Sequence, residues 1–358
     1  HELLVSLKLI QDHAAQDMAQ LSAKRASDVI QVLVAEAADD STGAILTRLL
    51  RSLEQQGRRY QIWMPEQARL QATSPWAPLL DEDRIQTRVH PMPSLILIST
   101  AADWQALHRF YGASSRTPVL QLLFGADLTH WGHGGSQRAA IRVCHGPEIA
   151  AVLEHQGHLR EPLQILPIGL DPAELPPVPN QRSHKRVLIL ARHRPDLGLL
   201  LQQHLEQQGL DCRCELEPWP IARWQQAIAS ASTVVNLAPQ QEGRSLGLQR
   251  LSAMALQTAL VSEERAGLDS LCRDGRNALV RPGDPRQLCE AVLSLHGQGG
   301  LQLRRQLVEG GLATALRQRS ARQELEFLNV LDQVPRLWNE ARSCHPELNL
   351  SGEAARPA

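Results

Sequence analysis

Residues 234–261 read VVNLAPQQEGRSLGLQRLSAMALQTALV and contain the most informative pattern of the chain. The apolar run at 234–237 predicts a strand, the helical spacing over 245–256 predicts a helix, and the apolar run at 259–261 predicts a second strand. Ligands of parallel α/β sheets bind outside the carboxyl ends of the strands. We therefore expect a ligand at the loop between the first strand and the helix, residues 238–246.

The loop of residues 238–246 carries groups that suit a nucleotide sugar. Ser245 can cap the helix, and the backbone N–H groups from Gly243 to Leu246 remain available for a phosphate. Gly243 also lets the backbone approach a ligand closely. The Glu242 carboxylate repels phosphate but accepts hydrogen bonds from sugar hydroxyls. Because most strand–loop–helix units bind nothing, a purely structural loop is the alternative.

The length and composition indicate two domains and no nucleic-acid partner. A chain of 358 residues with 43% hydrophobic residues is long enough for two cores. Its 37 basic and 38 acidic residues give a formal charge of −1, without the basic excess typical of nucleic-acid binding. No apolar run approaches the ~20 residues that span a bilayer, so we expect no transmembrane segment, and peripheral membrane contact stays open. The six scattered cysteines favour reduced thiols and a cytoplasmic protein.

The alternation of strands and helices and one proline-rich stretch predict the domain boundaries. The strand candidates of the first half are VIQVLVAEA (29–37), RYQIWMP (59–65), SLILIST (94–100), PVLQLLFG (118–125) and AIRVCHG (140–146). Five prolines between Leu163 and Lys185 disfavour helix and sheet alike, which predicts a linker. The predicted parts are a Rossmann-like domain at 1–170, a linker at 171–185, a second Rossmann-like domain at 186–320, a closing helix at 321–340 and a disordered tail at 341–358.

Two sequence blocks resemble a known family. They are EGRSLGLQRLSAMALQTALVS (242–262) and DGRNALVRPGDPRQLCEAV (274–292), and they are similar to the C-terminal half of retaining glycosyltransferases of family 4, the glycosyl transferases group 1. The resemblance implies an α/β GT-B fold, in which two Rossmann-like domains enclose a cleft. It also implies metal-independent transfer of a hexose from a nucleotide-diphosphate sugar to an acceptor hydroxyl, with retention and with no other cofactor.

The chain departs from this family at one functional position. A second glutamate normally follows the first by eight positions, just before Ala-Met-Ala, and is thought to hold the ribose of the donor. Here Arg250 lies eight positions after Glu242, and Ser252 precedes the Ala-Met-Ala run. We therefore expect Ser252 to contact the donor more weakly than a carboxylate does. Two alternatives stay open: a degenerate protein that only binds a partner, and a GT-B isomerase that acts on a nucleotide sugar.

Polar residues that follow other strands of the second domain complete the predicted donor site. Arg192 and Arg194 follow the apolar run at 187–191 and are expected to bind the diphosphate, because guanidinium groups match phosphate oxygens. Trp219 is expected to stack on the nucleobase, with a packing role as its alternative. A dinucleotide-binding Rossmann protein is disfavoured, because no G-x-G-x-x-G follows either domain's first strand.

The first domain contains two polar stretches where the family places its catalytic and acceptor sides. The resemblance implies that Asp127 and His130, in the loop ADLTHWGHGG, are catalytic. Zinc is the rival interpretation, but His130 and His133 lack a third ligand at a convincing spacing, so we expect no metal. His145 ends a predicted strand, where it either faces the cleft or packs as a hydrogen-bonded histidine.

Overall fold

A computed structural model of the chain describes residues 28–36, 40–70, 76–82, 84–112, 116–124, 138–157, 159–217, 219–237, 247–264 and 271–346. Within these residues the chain forms two parallel β-sheets with helices between their strands, which confirms the predicted α/β class. Most strand residues are buried Val, Ile and Leu, as expected where helices cover both faces of a parallel sheet. No helix in the described part of the chain combines the length and the apolar character needed to span a bilayer.

The first sheet is built from seven strands within residues 28–166. They are β1 (Val29–Leu33), β2 (Arg59–Trp63), β3 (Ile85–Gln86), β4 (Leu95–Ile98), β5 (Val119–Leu123), β6 (Ile141–His145) and β7 (Leu163–Leu166). Their order in the sheet is β3-β2-β1-β4-β5-β6-β7. The helices described in this part are α1 (Asp40–Gln55), α2 (Glu66–Leu70), α3 (Ala77–Asp81), α4 (Ala101–Tyr111) and α5 (Pro147–Gln156).

The second sheet is built from five strands within residues 186–281. They are β8 (Arg186–Leu190), β9 (Asp211–Glu215), β10 (Thr233–Asn236), β11 (Ala259–Glu263) and β12 (Leu279–Arg281), in the order β12-β11-β10-β8-β9. The helices described here are α6 (Pro195–Gln207), α7 (Ile221–Ser230), α8 (Leu248–Ala255), α9 (Pro285–His296), α10 (Gly300–Arg317), α11 (Ser320–Asp332) and α12 (Val334–Ser343).

Each sheet has a point at which the strand order reverses. In the first sheet β1 lies beside β4, and in the second β8 lies beside β10. The connections that follow such a pair of strands leave toward opposite faces of the sheet, so a crevice opens at their carboxyl ends. The topology therefore gives one candidate ligand crevice on each sheet.

A buried carboxylate fixes the reversal point of the first sheet. Asp103, in the first turn of α4, is fully buried, and burial raises the pKa of its carboxyl. Its Oδ1 accepts a hydrogen bond from the N–H of Ala35 after β1 (2.7 Å), and its Oδ2 accepts from the N–H groups of Ser99 and Thr100 after β4 (2.8 Å each). One side chain thus joins the ends of the two strands that border the crevice.

Two predicted boundaries near the second domain differ from the structure. Residues 163–166, in the stretch 163–185 where helix and sheet are disfavoured, form β7, because the prolines begin only at Pro167 and the preceding LQIL pairs with β6. The helix predicted from Ser245 begins at Leu248, and Gly247 occupies its N-cap position with a φ of 67°. Ser245 itself lies outside the described residues.

The C-terminal prediction also needs correction. The closing helix predicted at 321–340 is two helices, α11 and α12, because Pro335 lacks the N–H that a continuous helix needs at that point. Helix α12 continues to Ser343, inside the stretch 341–358 that was predicted to be disordered.

The chain crosses between the two sheets twice, and the crossings are joined by backbone hydrogen bonds. The N–H of Leu170 donates to the carbonyl of Gln318 (2.9 Å), and the N–H of Ser320 donates to the carbonyl of Leu170 (3.0 Å). Gly169 allows this approach, because a Cβ at that position would lie 2.8 Å from the Ser320 Cα. The two connecting segments therefore lie against each other.

Helix α11 locks the crossing through one buried amide. The Gln323 side chain is fully buried, and its Nε2 donates to the carbonyl of Pro167 (2.8 Å) and lies 3.1 Å from the Nε2 of His145. Burial, with a smaller contribution from the charge of Arg48, lowers the pKa of His145 to about 3. The histidine is therefore neutral at pH 7 and accepts the hydrogen bond, which is the packed role considered from the sequence.

A buried ion cluster attaches the residue that follows α12 to the first sheet. Arg142 on β6 is fully buried, and its Nη2 donates to Glu161 Oε1 (3.2 Å) and to the carbonyl of Arg138 (2.7 Å). His345, which follows α12, places its Nε2 3.0 Å from the same carboxylate oxygen. Helix α12 packs against β6, so the last described helix lies against the first sheet.

The depressed pKa of His145 predicts how stability depends on pH. The unfolded histidine takes up a proton near pH 6.5, whereas the folded one resists protonation down to about pH 3. The contribution of neutral His145 to the free energy of unfolding is therefore fully present above pH 6.5. It is lost as the pH falls from 6.5 toward 3, at up to about 1.4 kcal/mol per pH unit. Urea unfolding at a series of pH values should show that His145→Asn has a smaller acid slope than the unmodified protein; equal slopes would contradict this assignment.

Candidate functional site

The crevice of the second sheet lies at the carboxyl ends of β8 and β10. After β8 the chain turns at Ala191, whose carbonyl accepts a hydrogen bond from the N–H of Arg194 (2.9 Å), and helix α6 begins. Arg192 on this turn is exposed and forms no ion pair with any residue that the structure describes. A guanidinium at this edge, beside the N-terminus of α6, suits an anionic ligand.

A glycine brings helix α6 close to the end of β8. A Cβ at Gly198 would lie 2.2 Å from the Cβ of Ala191 and 2.9 Å from the Sγ of Cys214. Because neither backbone nor neighbouring strand could move easily, only glycine fits this position. The close contact holds the N-terminal turn of α6 directly at the carboxyl edge of the sheet.

The second predicted arginine is held by an acid that the sequence analysis missed. The Nη1 of Arg194 lies 2.6 Å from Oε1 of Glu263, the last residue of β11, whose side chain is only 6% exposed. A Cβ at Gly283 would lie 2.2 Å from the same oxygen, so that glycine makes room for the pair. Glu263 could have been found, since it ends an apolar run just as Arg192 follows one.

The end of β10 carries a second buried polar residue. Asn236 is 6% exposed, and its Nδ2 donates to Oε1 of Gln249 on α8 (3.1 Å). This contact joins the two elements that flank the loop of residues 238–246. Four predicted site residues fall in that loop and lie outside the described residues: Glu242, Gly243, Ser245 and Leu246.

Two arginines contact the ring of Trp219. The guanidinium carbons of Arg213 and Arg223 lie 4.6 and 4.1 Å from the centre of its ring, within the range of cation–π contacts. The ring is partly buried and also packs against the hydrophobic core. A nucleobase would have to displace at least one of these contacts to stack on Trp219.

The two residues that replace the expected second glutamate are both buried in helix α8. Arg250 is 5% exposed, and its Nη1 lies 3.9 Å from the Sγ of Cys272. Ser252 is fully buried, and its Oγ has no hydrogen-bond partner among the described residues. Neither side chain therefore presents a polar group to solvent in this structure.

The entry of helix α8 adjoins the crossing between the sheets. A Cβ at Gly247 would lie 3.3 Å from the Cδ1 of Ile168 and 3.4 Å from the Cδ2 of Leu271. Gly247 therefore lies beside the segment that leaves the first sheet.

The predicted catalytic residues of the first domain, Asp127 and His130, lie outside the described residues, as does His133. Among the residues that the structure describes, no group of three or more His, Cys, Asp or Glu side chains has the arrangement of a metal site. The described part of the candidate site is thus the carboxyl edge of the second sheet.

Comparisons of sequence and of structure each found proteins that are similar to this chain. Residues 175–298, from the linker to the end of α9, match the family model of glycosyl transferases group 1. No curated protein has a sequence that matches the chain.

Solved structures similar to this chain cover both of its sheets. Anabaena HepE in complex with UDP-glucose is 14% identical, with 85% of this chain and 99% of that chain covered and a TM-score of 0.65. Sucrose-phosphate synthase from Thermosynechococcus elongatus is 11% identical, with 86% and 99% covered and a TM-score of 0.62. A glycosyltransferase from Rickettsia africae ESF-5 is 10% identical, with 86% and 98% covered and a TM-score of 0.61. The chain has the GT-B fold of two Rossmann-like domains, as predicted.

Because Ser252 is buried, two substitutions at this position should change the free energy of unfolding by very different amounts. Ser252→Glu buries a carboxylate and should lower the free energy of unfolding by about 3 kcal/mol or more. Ser252→Ala is the matched control and should change stability by less than about 1 kcal/mol, because the hydroxyl has no described partner. Urea unfolding measures both. A Ser252→Glu variant that stays fully stable would mean that this position reaches solvent or a ligand.

Proposed function

We propose that the chain is a glycosyltransferase that moves a sugar from a nucleotide-diphosphate donor to an acceptor hydroxyl. The observation that carries this proposal is the match of residues 175–298 to the glycosyl transferases group 1. The matched segment contains the whole second sheet and its crevice, where Arg192 and the N-terminus of α6 offer positive charge. Fold and local chemistry therefore support the same substrate class.

The donor that we propose is a nucleotide-diphosphate hexose, with UDP-glucose as the first compound to try. Anabaena HepE, which has the same fold, has been solved with UDP-glucose. We further propose retention of the anomeric configuration and no metal requirement, as the family resemblance implies. Six free cysteines favour a reducing compartment, and we propose the cytoplasm.

In this reaction the bond between the sugar C1 and the β-phosphate oxygen breaks, and a bond forms from C1 to the acceptor oxygen. The acceptor hydroxyl releases its proton to solvent, and the diphosphate leaves with the bonding electrons and with one additional negative charge. Arg192 and the N–H groups at the start of α6 would stabilise that charge. The Arg194–Glu263 pair keeps the second guanidinium at the same edge in a fixed orientation.

The loop of residues 238–246 completes the proposed donor site. Glu242 would accept hydrogen bonds from sugar hydroxyls, and the N–H groups from Gly243 to Leu246 would face the phosphates. Asp127 and His130 remain our candidates for the catalytic side of the first domain. Trp219 would contact the nucleobase only after releasing one of its arginine partners.

A non-catalytic nucleotide-sugar-binding protein is the second candidate. It is favoured by the burial of Arg250 and Ser252, since no carboxylate or exposed hydroxyl stands where the family holds the ribose. Such a protein would bind the nucleotide part of the donor without transferring the sugar.

A panel of nucleotide sugars separates the two candidates. Melting temperature should rise with the correct donor, since a ligand at about 100 times its dissociation constant adds about 2.7 kcal/mol of stability. Release of the nucleoside diphosphate with that donor, and its increase when an acceptor extract is added, would support the transferase. Stabilisation without release would identify the binding protein, and no stabilisation by any donor would refute both.

Arg192 is expected to carry much of the diphosphate affinity. Arg192→Ala should weaken UDP binding about tenfold or more, because charge-assisted contacts contribute about 1.5–3 kcal/mol each. Isothermal calorimetry with UDP measures this. Arg186→Ala is the matched control, because Arg186 lies at the opposite end of β8 and is paired with Asp211. Equal affinities for Arg192→Ala and the unmodified protein would move the phosphate site elsewhere.

Glu242 is expected to act on the sugar rather than on the fold. Glu242→Gln should lower turnover about a hundredfold, while the melting temperature changes little, since one interaction made to the reacting sugar contributes about 2.7 kcal/mol. Steady-state kinetics and thermal unfolding supply the two readouts, and Gln240→Ala in the same loop is the control. Loss of stability in step with loss of turnover would make Glu242 a structural residue.

A further inference from the structure

An open groove of about 440 Å³ lies between the turn at residues 273–277 and the C-terminal half of helix α10. Three arginines line it: Arg273 and Arg276 on the turn, and Arg317 on the helix. The other lining residues are neutral: Asn277, Gly310, Ala313 and Thr314. A groove with three cationic side chains and no acid among its lining residues is unusual in a chain with a formal charge of −1.

A buried asparagine builds the floor of this groove. Asn277 is 4% exposed, and its Oδ1 accepts a hydrogen bond from the N–H of Arg273 (2.7 Å). Its Nδ2 donates to the carbonyl of Leu271 (2.9 Å) and to Oγ1 of Thr314 on α10 (3.0 Å). These bonds join the turn to the helix, so the backbone that carries the arginines is fixed.

Two further contacts hold the turn against helix α10. The Nε2 of Gln306 donates to the carbonyl of Gly275 (2.9 Å). A Cβ at Gly310 would lie 2.0 Å from the carbonyl oxygen of Arg276, so only glycine permits this approach. The helix and the turn are therefore positioned before any ligand arrives, which lowers the entropic cost of binding.

The positive charge of the groove is not compensated within the described structure. None of the three arginines forms an ion pair with a residue in the part of the chain that is described. The acid of the same turn, Asp274, points to Arg281 instead, with its Oδ1 2.8 Å from Nη1. The Nη2 of Arg317 donates to Oγ1 of Thr314 (3.3 Å), a neutral partner that leaves the charge of the guanidinium uncompensated.

We propose that this groove binds a phosphate group, presented either by a phospholipid surface or by a small phosphate ester. Guanidinium groups bind phosphate oxygens through paired, charge-assisted hydrogen bonds, and three of them exceed what a single carboxylate needs. The groove has no residue in common with the proposed donor edge, since none of its lining residues follows β8 or β10. It is a second anion site beside α10, and its occupation does not depend on sugar transfer.

The test compares two triple variants that lose the same charge. Both are made in the Arg192→Ala background, so that phosphate binding at the donor edge does not obscure the result. The groove variant is R273Q/R276Q/R317Q. The control variant removes exposed arginines elsewhere and is R51Q/R305Q/R322Q. Circular dichroism melting curves establish that each variant is folded; if the groove variant is not, Arg276→Gln alone replaces it and Arg305→Gln alone is its control.

Two probes distinguish the sources of phosphate. Glycerol 3-phosphate is titrated by calorimetry, and co-sedimentation is measured with vesicles of phosphatidylcholine alone and of phosphatidylcholine mixed with phosphatidylglycerol. We expect binding to at least one phosphate probe, weakened about tenfold or more in the groove variant and unchanged in the control. Binding of the ester identifies a soluble ligand, and binding confined to the anionic vesicles identifies a membrane surface. Absence of binding to both probes, or equal weakening in the two variants, would overturn the proposal.

Discussion

The two halves of the molecule are joined by the hydrogen bonds between Leu170 and the segment 318–320. The segment that leaves the first sheet and the segment that returns to it are hydrogen-bonded to each other. These two segments therefore determine how the halves are connected. Gln323 stabilises this connection, because its side chain donates a hydrogen bond to the carbonyl of Pro167 and contacts the neutral ring of His145. Gly247, at the entry of α8, packs against Ile168 in the same region. A change at the crossing would therefore reach the entry of α8 through direct packing.

Charge is distributed unevenly in this nearly neutral chain. Two arginines with low exposure are paired with acids, Arg142 with Glu161 and Arg194 with Glu263. The arginines of the two candidate anion sites, Arg192 after β8 and the three in the groove beside α10, are exposed and form no ion pair with a described residue. An unpaired buried charge would cost several kcal/mol, whereas an exposed arginine keeps its hydration until an anion replaces it. The arginines that are open to ligands are thus the ones that the fold does not need.

Much of the α/β architecture could be predicted, because a buried parallel strand must be an apolar run. VVN, RVLIL and ALVSE were visible in this way, and so was Arg192 as the residue after a strand. Shorter features were not. LQIL looked like linker because of the prolines that follow it, and the left-handed conformation of Gly247 at the N-cap of α8 left no sign in the sequence pattern. Local patterns predict the existence of elements better than their ends.

The sequence by itself determined the class of fold, the strand-end position of the arginines and the resemblance of its C-terminal half to group 1 glycosyl transferases. Periodicity and motif order carry that information, because they are local. Only the tertiary structure decided which charges are paired and which side chains are buried. It placed Glu263 against Arg194, enclosed Ser252 within the second domain and brought Arg317 to the turn that carries Arg273. These contacts join residues distant in the chain, and their geometry depends on how the helices pack on the sheets, which no local pattern encodes.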